Sequence, residues 1–509
     1  MNVPELVRFW ARTRTDHDAI AFEGTSESWG ELDAVSDSLA RGLAARGIGH
    51  GDRVALLMHN RPELARVMVA VLKLGAVCVP LNFRLLPGEL GELLRDADAA
   101  LIVTEQRLLD RLPDRVDGEA YDVVSLDSTD VPGFDTLLAD PGPAPRVEIA
   151  DDDPAFLCYT SGTTGVQKGA VLTHRSVLAP AQGQMIAYNL SWRDRVLVPA
   201  PLVYTGSVVS VFVQLVIYPG ATMVLLADFD PERSLEIMVR ERVTAATFVP
   251  VIWQRMAAHP GFADADLASF TYAAAGGAPV PTQTLDIYRR RGVPLNQVYG
   301  LTEASGLVTS LPWHDALARP ESCGRALVGT EVRVRADAPG EVGEVLVRGP
   351  HVMQGYWRRP EATADTIVDG WLHTGDLGHM DEEGFLTIVD RSKDLVISGG
   401  INVYPAEIEK VLAAVPGVAD LAVIGVPDPS WGEVPMVVFH SDRDPASVVA
   451  ELAAAAESRL ARFKWPKHAV ASPEPLPRTF SGKLTKATLR ERFREVPPEA
   501  IVLRNRTTA

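Results

Sequence analysis

Apolar positions in this chain fall in short runs separated by longer amphipathic stretches. Residues 54–58 form one such run, and residues 62–68 after them carry helical spacing, which predicts strand, turn and helix. The runs at 77–80 and 101–104 continue the pattern. Strands alternating with helices predict α/β layers around a mostly parallel, buried sheet. Between 324 and 349 the period changes. The runs 331–335 and 344–348, charged at both ends and read with period two, flank Pro339-Gly340, which predicts a small antiparallel region with one wet face. The longest apolar stretch, 208–218, is far short of the ~20 residues of a membrane helix, so no span is expected.

The texture changes again near residue 390. Residues 385–389 predict a strand that runs into the charged segment Asp390-Arg391-Ser392-Lys393-Asp394. Beyond it, 406–412 reads as helix, 421–426 as strand and 448–461 as an Ala-rich helix. The expected organisation is a large portion over 1–390, a hinge at 391–394 and a small domain over 395–509. No internal repeat or low-complexity tract is evident.

Composition narrows the partners. The chain has 509 residues, 47% hydrophobic and 23% charged, which excludes wholesale disorder. Lys+Arg number 49 and Asp+Glu 66, a formal net charge of −17. So acidic a surface repels nucleic-acid backbones, yet it does not exclude a small anion in a local basic pocket. The three cysteines, Cys78, Cys158 and Cys323, contain no CxxC pair, which excludes a disulfide framework or a cysteine-rich zinc site. The first residues, Met1-Asn2-Val3-Pro4-Glu5, lack a basic or apolar signal region. A cytoplasmic monomer or homodimer is expected.

The strongest chemical signal is Tyr159-Thr160-Ser161-Gly162-Thr163-Thr164-Gly165-Val166-Gln167-Lys168-Gly169. Glycines let backbone N–H groups converge on one anion, the hydroxyls of Thr160, Ser161, Thr163 and Thr164 add donors, and Lys168 adds charge. This is a phosphate cradle, but it lacks the G-x-x-x-x-G-K-[ST] spacing of a Walker A loop.

Further motifs follow in order: Tyr299-Gly300-Leu301-Thr302-Glu303, Trp371-Leu372-His373-Thr374-Gly375-Asp376, the 390–394 segment, a run beginning Ser398-Gly399-Gly400, and Pro477-Arg478-Thr479-Phe480-Ser481-Gly482-Lys483. From about Trp29 to Lys486 the chain resembles the adenylate-forming superfamily of acyl-CoA synthetases, carrier-protein adenylation domains and luciferases. The resemblance implies an α/β fold whose large N-terminal domain has two α/β-layered subdomains and a small β-barrel. A small mobile C-terminal α+β domain would carry the catalytic lysine.

It also implies roles. Activating a carboxylate brings two anions together, the acid and the ATP α-phosphate, and that needs cationic compensation. Lys483 would supply it. Glu303 would ligate magnesium beside Thr302, since magnesium is held by few carboxylates plus phosphates and water. Tyr299 and Gly300 would face adenine, Gly276, Gly277 and Ala278 would lie between acyl pocket and nucleotide, Asp376 would hold ribose, and Arg391 would be a second ribose or phosphate contact. Lys393 would be the pivot, and Ser398, Gly399 and Gly400 would line the route of the CoA thiol in a second half-reaction. Tyr204, Thr205, Ser207, Val208, Gly276, Gly277, Ala278, Gly300 and Ser305 would shape the acyl pocket, small enough for medium-chain or aromatic acids.

Departures are few. Tyr204 and Val203 stand where the family often has His and Phe, and Gln167 where it often has Pro. His174 is expected to cap the following helix. The leading reading is a ligase using ATP, magnesium and CoA. A separate phosphopantetheinyl carrier protein is the alternative acceptor, since no carrier domain is expected after the lysine motif. A non-thiol acceptor, as in nitrite-dependent diazotising relatives, is the third. A non-catalytic nucleotide sensor would be expected to lack Lys483 or Glu303.

Overall fold

The computed structural model describes residues 1–113, 121–128, 130–139, 142–160, 167–399, 401–478 and 484–503. They divide into two compact units. One holds the described residues up to Val332 together with Leu346–His373; the other holds Arg333–Val345 and the described residues from Thr374.

In the first unit the short apolar runs become two sheets. One is seven-stranded, in the order Gly355–Tyr356, Lys168–Thr173, Pro154–Thr160, Val77–Pro80, Arg53–Leu57, Leu101–Glu105, Val123–Leu126. Its central strands are parallel, and Pro154–Thr160 returns antiparallel as Lys168–Thr173. The other is nine-stranded, parallel at its centre and antiparallel at both edges, where Leu295–Leu301 folds back on Gly306–Leu311 and Asp18–Phe22 on Thr25–Ser28. Continuous apolar strands such as Arg53–Leu57 are buried because elements cover both faces, as the run at 54–58 predicted.

Helix starts follow local capping chemistry. Ser28 and Glu31 form a reciprocal capping box at Trp29–Ala45, and Pro62 opens Pro62–Lys73 at a position whose N–H has no helical partner. These two helices share a core of Trp29, Leu32, Leu39, Leu43, Leu64 and Met68. Lys73 is fully buried there, and its ammonium lies 2.6 Å from Asp33 and 2.5 Å from Asp37. The apolar stretch near 208–218 becomes a fully buried π-helix, Val208–Ile217.

The expected cap at His174 is corrected. Thr173 is the N-cap of His174–Tyr188, its hydroxyl accepting from the Ser176 N–H, because a hydroxyl one bond from Cβ reaches the third N–H of the turn. The His174 ring instead accepts from the Val3 N–H through Nδ1 at 3.3 Å.

The alternating runs near 331–348 are the strands Glu331–Arg335 and Gly343–Arg348, and Arg335 pairs with Glu344 at 2.6 Å. In the second unit a six-stranded sheet is built on Asp420–Asp428 paired antiparallel with Gly432–His440. The helices Pro405–Leu412 and Pro445–Arg459 share its core through Ile408, Leu412, Val448 and Leu452. The segment 391–394 lies inside this unit as the end of Leu386–Arg391 and the turn Ser392–Asp394.

Candidate active site

The expected site residues fall at strand ends and the turns after them, where loops carry chemistry on a rigid scaffold. Thr160 ends one strand and Lys168 begins its antiparallel return, and the two pair in the ladder. The Thr160 hydroxyl donates to the Lys168 carbonyl at 3.3 Å. The ladder therefore pins both ends of the segment expected to cradle phosphate. Ser161, Gly162, Thr163 and Thr164 lie outside the described residues.

The strand Leu295–Leu301 delivers Tyr299 and Gly300 to its end, and Thr302–Ala304 is a 3-10 turn. The chain reverses at Ser305 (φ 51°) and Gly306 (φ 113°). Gly300 is required here: a Cβ would stand 2.0 Å from the Gly306 carbonyl oxygen. The parallel neighbour Tyr272–Gly276 ends in register, with Gly276 beside Val298. A Cβ on Gly276 would meet Val298 Cγ2 at 2.5 Å, and Gly277 adopts φ 82°. Ala278 follows on an exposed turn.

Two contacts join these motifs to others. The hydroxyls of Thr302 and Thr205 are 3.1 Å apart, which links the Thr302-Glu303 turn to the start of the helical segment after Tyr204. The Tyr356 hydroxyl donates to Glu303 Oε1 at 2.9 Å, while Lys168 Nζ lies 5.0 Å from the Tyr356 ring centroid. Burial first, and then the Glu303 charge, push the Tyr356 phenol above its ordinary value, so it stays a neutral donor. Tyr356 is absent from the sequence-derived set. Nothing local marks it, because its partner Glu303 is 53 residues away.

Tyr204 is half-buried and packs on the cluster containing Phe83, Leu157 and Val203; burial raises its phenol and Arg84 opposes that. Ser207 is buried. Ser305 is fully buried, and its hydroxyl bonds that of Ser176 at 3.0 Å.

In the second unit Asp376 and Arg391 face each other in register across the hairpin of Trp371–Met380 and Leu386–Arg391. Arg391 Nε lies 2.9 Å from Asp376 Oδ1. Gly375 (φ 68°) and the Thr374 hydroxyl, which accepts from the Asp376 N–H at 3.1 Å, shape this turn. The Lys393 side chain is exposed; partial desolvation first, and then Arg391, push its ammonium below the ordinary lysine value. Asp390 accepts from the N–H groups of Arg391 and Ala406, fastening the segment to the start of Pro405–Leu412.

Ser398 is buried, and Gly399 adopts φ 61° against the Trp431 ring, where a Cβ would stand 2.4 Å from Cε3. Trp431 is a second residue that the sequence reading did not single out. Gly400 and Lys483 lie outside the described residues.

The donor set suits magnesium and a nucleotide. Glu303 offers hard carboxylate oxygens beside the Tyr356 hydroxyl, and one carboxylate suffices where phosphates complete the shell. When bound, magnesium would neutralise phosphate charge, with Glu303 as its protein ligand.

Comparison with known proteins identifies the family. The family profile for AMP-binding enzymes matches residues 7–357, and that for the AMP-binding enzyme C-terminal domain matches 407–483. The chain is 38% identical over 482 residues to the long-chain-fatty-acid–CoA ligase FadD13 of Mycobacterium tuberculosis, covering 93% of this chain and 94% of that one. It is 39% identical over 488 residues to the feruloyl-CoA synthase of an Amycolatopsis species, covering 95% and 97%. Its fold is similar to that of o-succinylbenzoate CoA synthetase (MenE) from Bacillus subtilis in complex with the acyl-adenylate intermediate OSB-AMP. That match has TM-score 0.87 and 29% identity, and covers 97% of this chain and 98% of that one. The chain belongs to the AMP-binding enzyme family, in the adenylate-forming superfamily and of its acyl-CoA synthetase type.

Proposed function

We propose that this protein is an ATP-dependent acid:CoA ligase of the AMP-forming kind, acting on a medium-chain fatty or aromatic acid. The carboxylate attacks the α-phosphorus of ATP, pyrophosphate leaves, and an acyl-adenylate forms. The CoA thiol then attacks the acyl carbon and AMP leaves. The observation that carries this reading is the meeting of Thr302 with Thr205 and of Glu303 with Lys168 through Tyr356. It brings the start of the acyl-pocket segment, a magnesium-type carboxylate and the phosphate-cradle lysine into one connected set.

In this reading Thr160 to Thr164 and Lys168 bind the phosphates, Lys483 bridges acid and α-phosphate, and Asp376 with Arg391 holds the ribose. Gly276, Gly277, Ala278, Tyr299 and Gly300 flank the adenylate. Residues 391–394 serve as hinge between a domain over 1–390 and a lid over 395–509, with Lys393 as pivot. Ser398, Gly399 and Gly400 flank the pantetheine arm. CoA is preferred to a carrier protein because the similar proteins are named as CoA ligases. No helix among the described residues is long and apolar enough to cross a membrane. We place the enzyme in the cytoplasm, as a monomer or homodimer.

The test is pyrophosphate release across a panel of fatty, aryl and amino-aryl acids, run with CoA, without acceptor and with nitrite. An acid-dependent burst whose turnover requires CoA is expected. Turnover with nitrite but not CoA overturns the acceptor, and no acid-dependent release overturns the activity.

A further inference from the structure

The adenylation motifs leave one side chain unassigned that touches two of them. We propose that Tyr356 is a positioning residue: its hydroxyl orients Glu303 toward magnesium in the ATP complex, and its ring face holds the Lys168 ammonium. The inference rests on the reading of Glu303 as the magnesium ligand and Lys168 as a phosphate contact.

The backbone of Tyr356 is fixed from both sides. Gly355 and Tyr356 pair antiparallel with Val171 and Ala170 on the strand that begins at Lys168. Gln354 N–H donates to the Val171 carbonyl at 2.9 Å and Trp357 N–H to the Gly169 carbonyl at 2.8 Å. The Tyr356 N–H donates to the Thr363 hydroxyl at 2.8 Å. Gly355, at φ 152°, leaves no room for a Cβ, which would stand 2.6 Å from Thr363 Cγ2. The ring is thus anchored two positions from Lys168 on the adjacent strand, with its hydroxyl 2.9 Å from Glu303 Oε1. The Glu303 main chain is tied to the same segment, since Met353 N–H donates to its carbonyl at 2.8 Å.

A glutamate on a short turn has several side-chain rotamers, and ordering it on binding costs free energy. A hydrogen bond that pre-selects the ligating rotamer removes that cost, as partners behind metal ligands do. A cation over an aromatic face is restrained in the same way without losing donors for phosphate. One tyrosine therefore couples the carboxylate to the lysine.

The experiment uses the full chain with ATP and manganese in place of magnesium, without acid or CoA. Electron paramagnetic resonance reads manganese affinity, and calorimetry in excess EDTA reads ATP affinity. Tyr356→Phe keeps the ring and loses the hydroxyl; its manganese Kd should rise about fivefold while its metal-free ATP Kd stays within about twofold. Tyr356→Leu loses both, and its metal-free ATP Kd should rise by about threefold or more. Glu303→Gln is the reference and should weaken manganese more than Tyr356→Phe does. If Glu303→Gln weakens manganese and Tyr356→Phe does not, the orienting role is overturned. If Glu303→Gln leaves manganese unchanged, the reading of Glu303 itself fails. Equal metal-free ATP affinities for the Phe and Leu variants overturn the role of the ring.

Discussion

Asp376 is a carboxylate only 4% exposed, and such a group persists where a cation and donors compensate its lost hydration. Arg391 does this at 2.9 Å, and strand pairing, not sequence distance, brings the two together. Single residues elsewhere carry separable tests. Lys483→Ala should abolish pyrophosphate release with every acid while sparing thioester formation from preformed acyl-adenylate. The loss in the first step should exceed about 100-fold, as for an aligned charge at a reacting centre. Equal loss in both steps would refute its assignment to adenylation alone.

His351 gives a pH signature. Burial lowers its pKa from 6.5 to about 4. Above 6.5 both folded and unfolded chains hold it neutral. Between 6.5 and about 4 the unfolded chain binds a proton that the folded chain refuses, so stability falls with pH and levels off below that window. The full loss is about 3 kcal/mol. His174, which burial likewise lowers to about 4, contributes over the same window, so His351→Gln should reduce the dependence of Tm on pH over this range without abolishing it, and an unchanged slope in thermal melts would reject the assignment.

Among the elements, the strand Leu295–Leu301 and its return Gly306–Leu311 carry the turn Thr302–Ala304, and their spacing depends on Gly300. Gly300→Ala would force a methyl against the Gly306 carbonyl. Because that neighbour is backbone, the strands must part, at a cost of about 1–3 kcal/mol. A lowered Tm together with at least tenfold weaker pyrophosphate exchange is expected, and a variant with native values in both assays would show that the strand ends are free to shift. Element type was legible where the pattern had a period. The run at 54–58 became a buried strand and 62–68 a helix opened by Pro62. The stretch near 208–218 was not legible, because an all-apolar sequence has no polar phase to separate strand from helix. Its π-helical form is a property of the surrounding core. At His174 the helix start was found and the capping residue misplaced by one, since the N–H reached by Thr173 is decided by backbone geometry.

For the whole molecule, the two half-reactions place opposite demands on the small domain, which the hinge proposal meets by rotation about Lys393. Lys393→Pro should leave acid-dependent pyrophosphate release within about threefold and reduce CoA transfer by at least tenfold. Single-turnover rates for each step test this, and undiminished transfer to CoA would remove Lys393 as pivot. Within a chain of net charge −17, Lys168 is a local positive charge beside the Tyr356 ring in the first unit, and in the second unit Arg391 is paired with Asp376.

The sequence by itself determined the family, the order of its motifs and most strand and helix types, because these depend on covalent spacing and local periodicity. It named Glu303, Asp376, Arg391 and Lys168 without showing what each one touches. Only the tertiary structure decided that Tyr356 joins Glu303 to Lys168, that Thr302 meets Thr205, and that Trp431 packs under Gly399. Such contacts are set by which strands pair and in what register, and no local pattern of residues encodes a partner dozens of positions away.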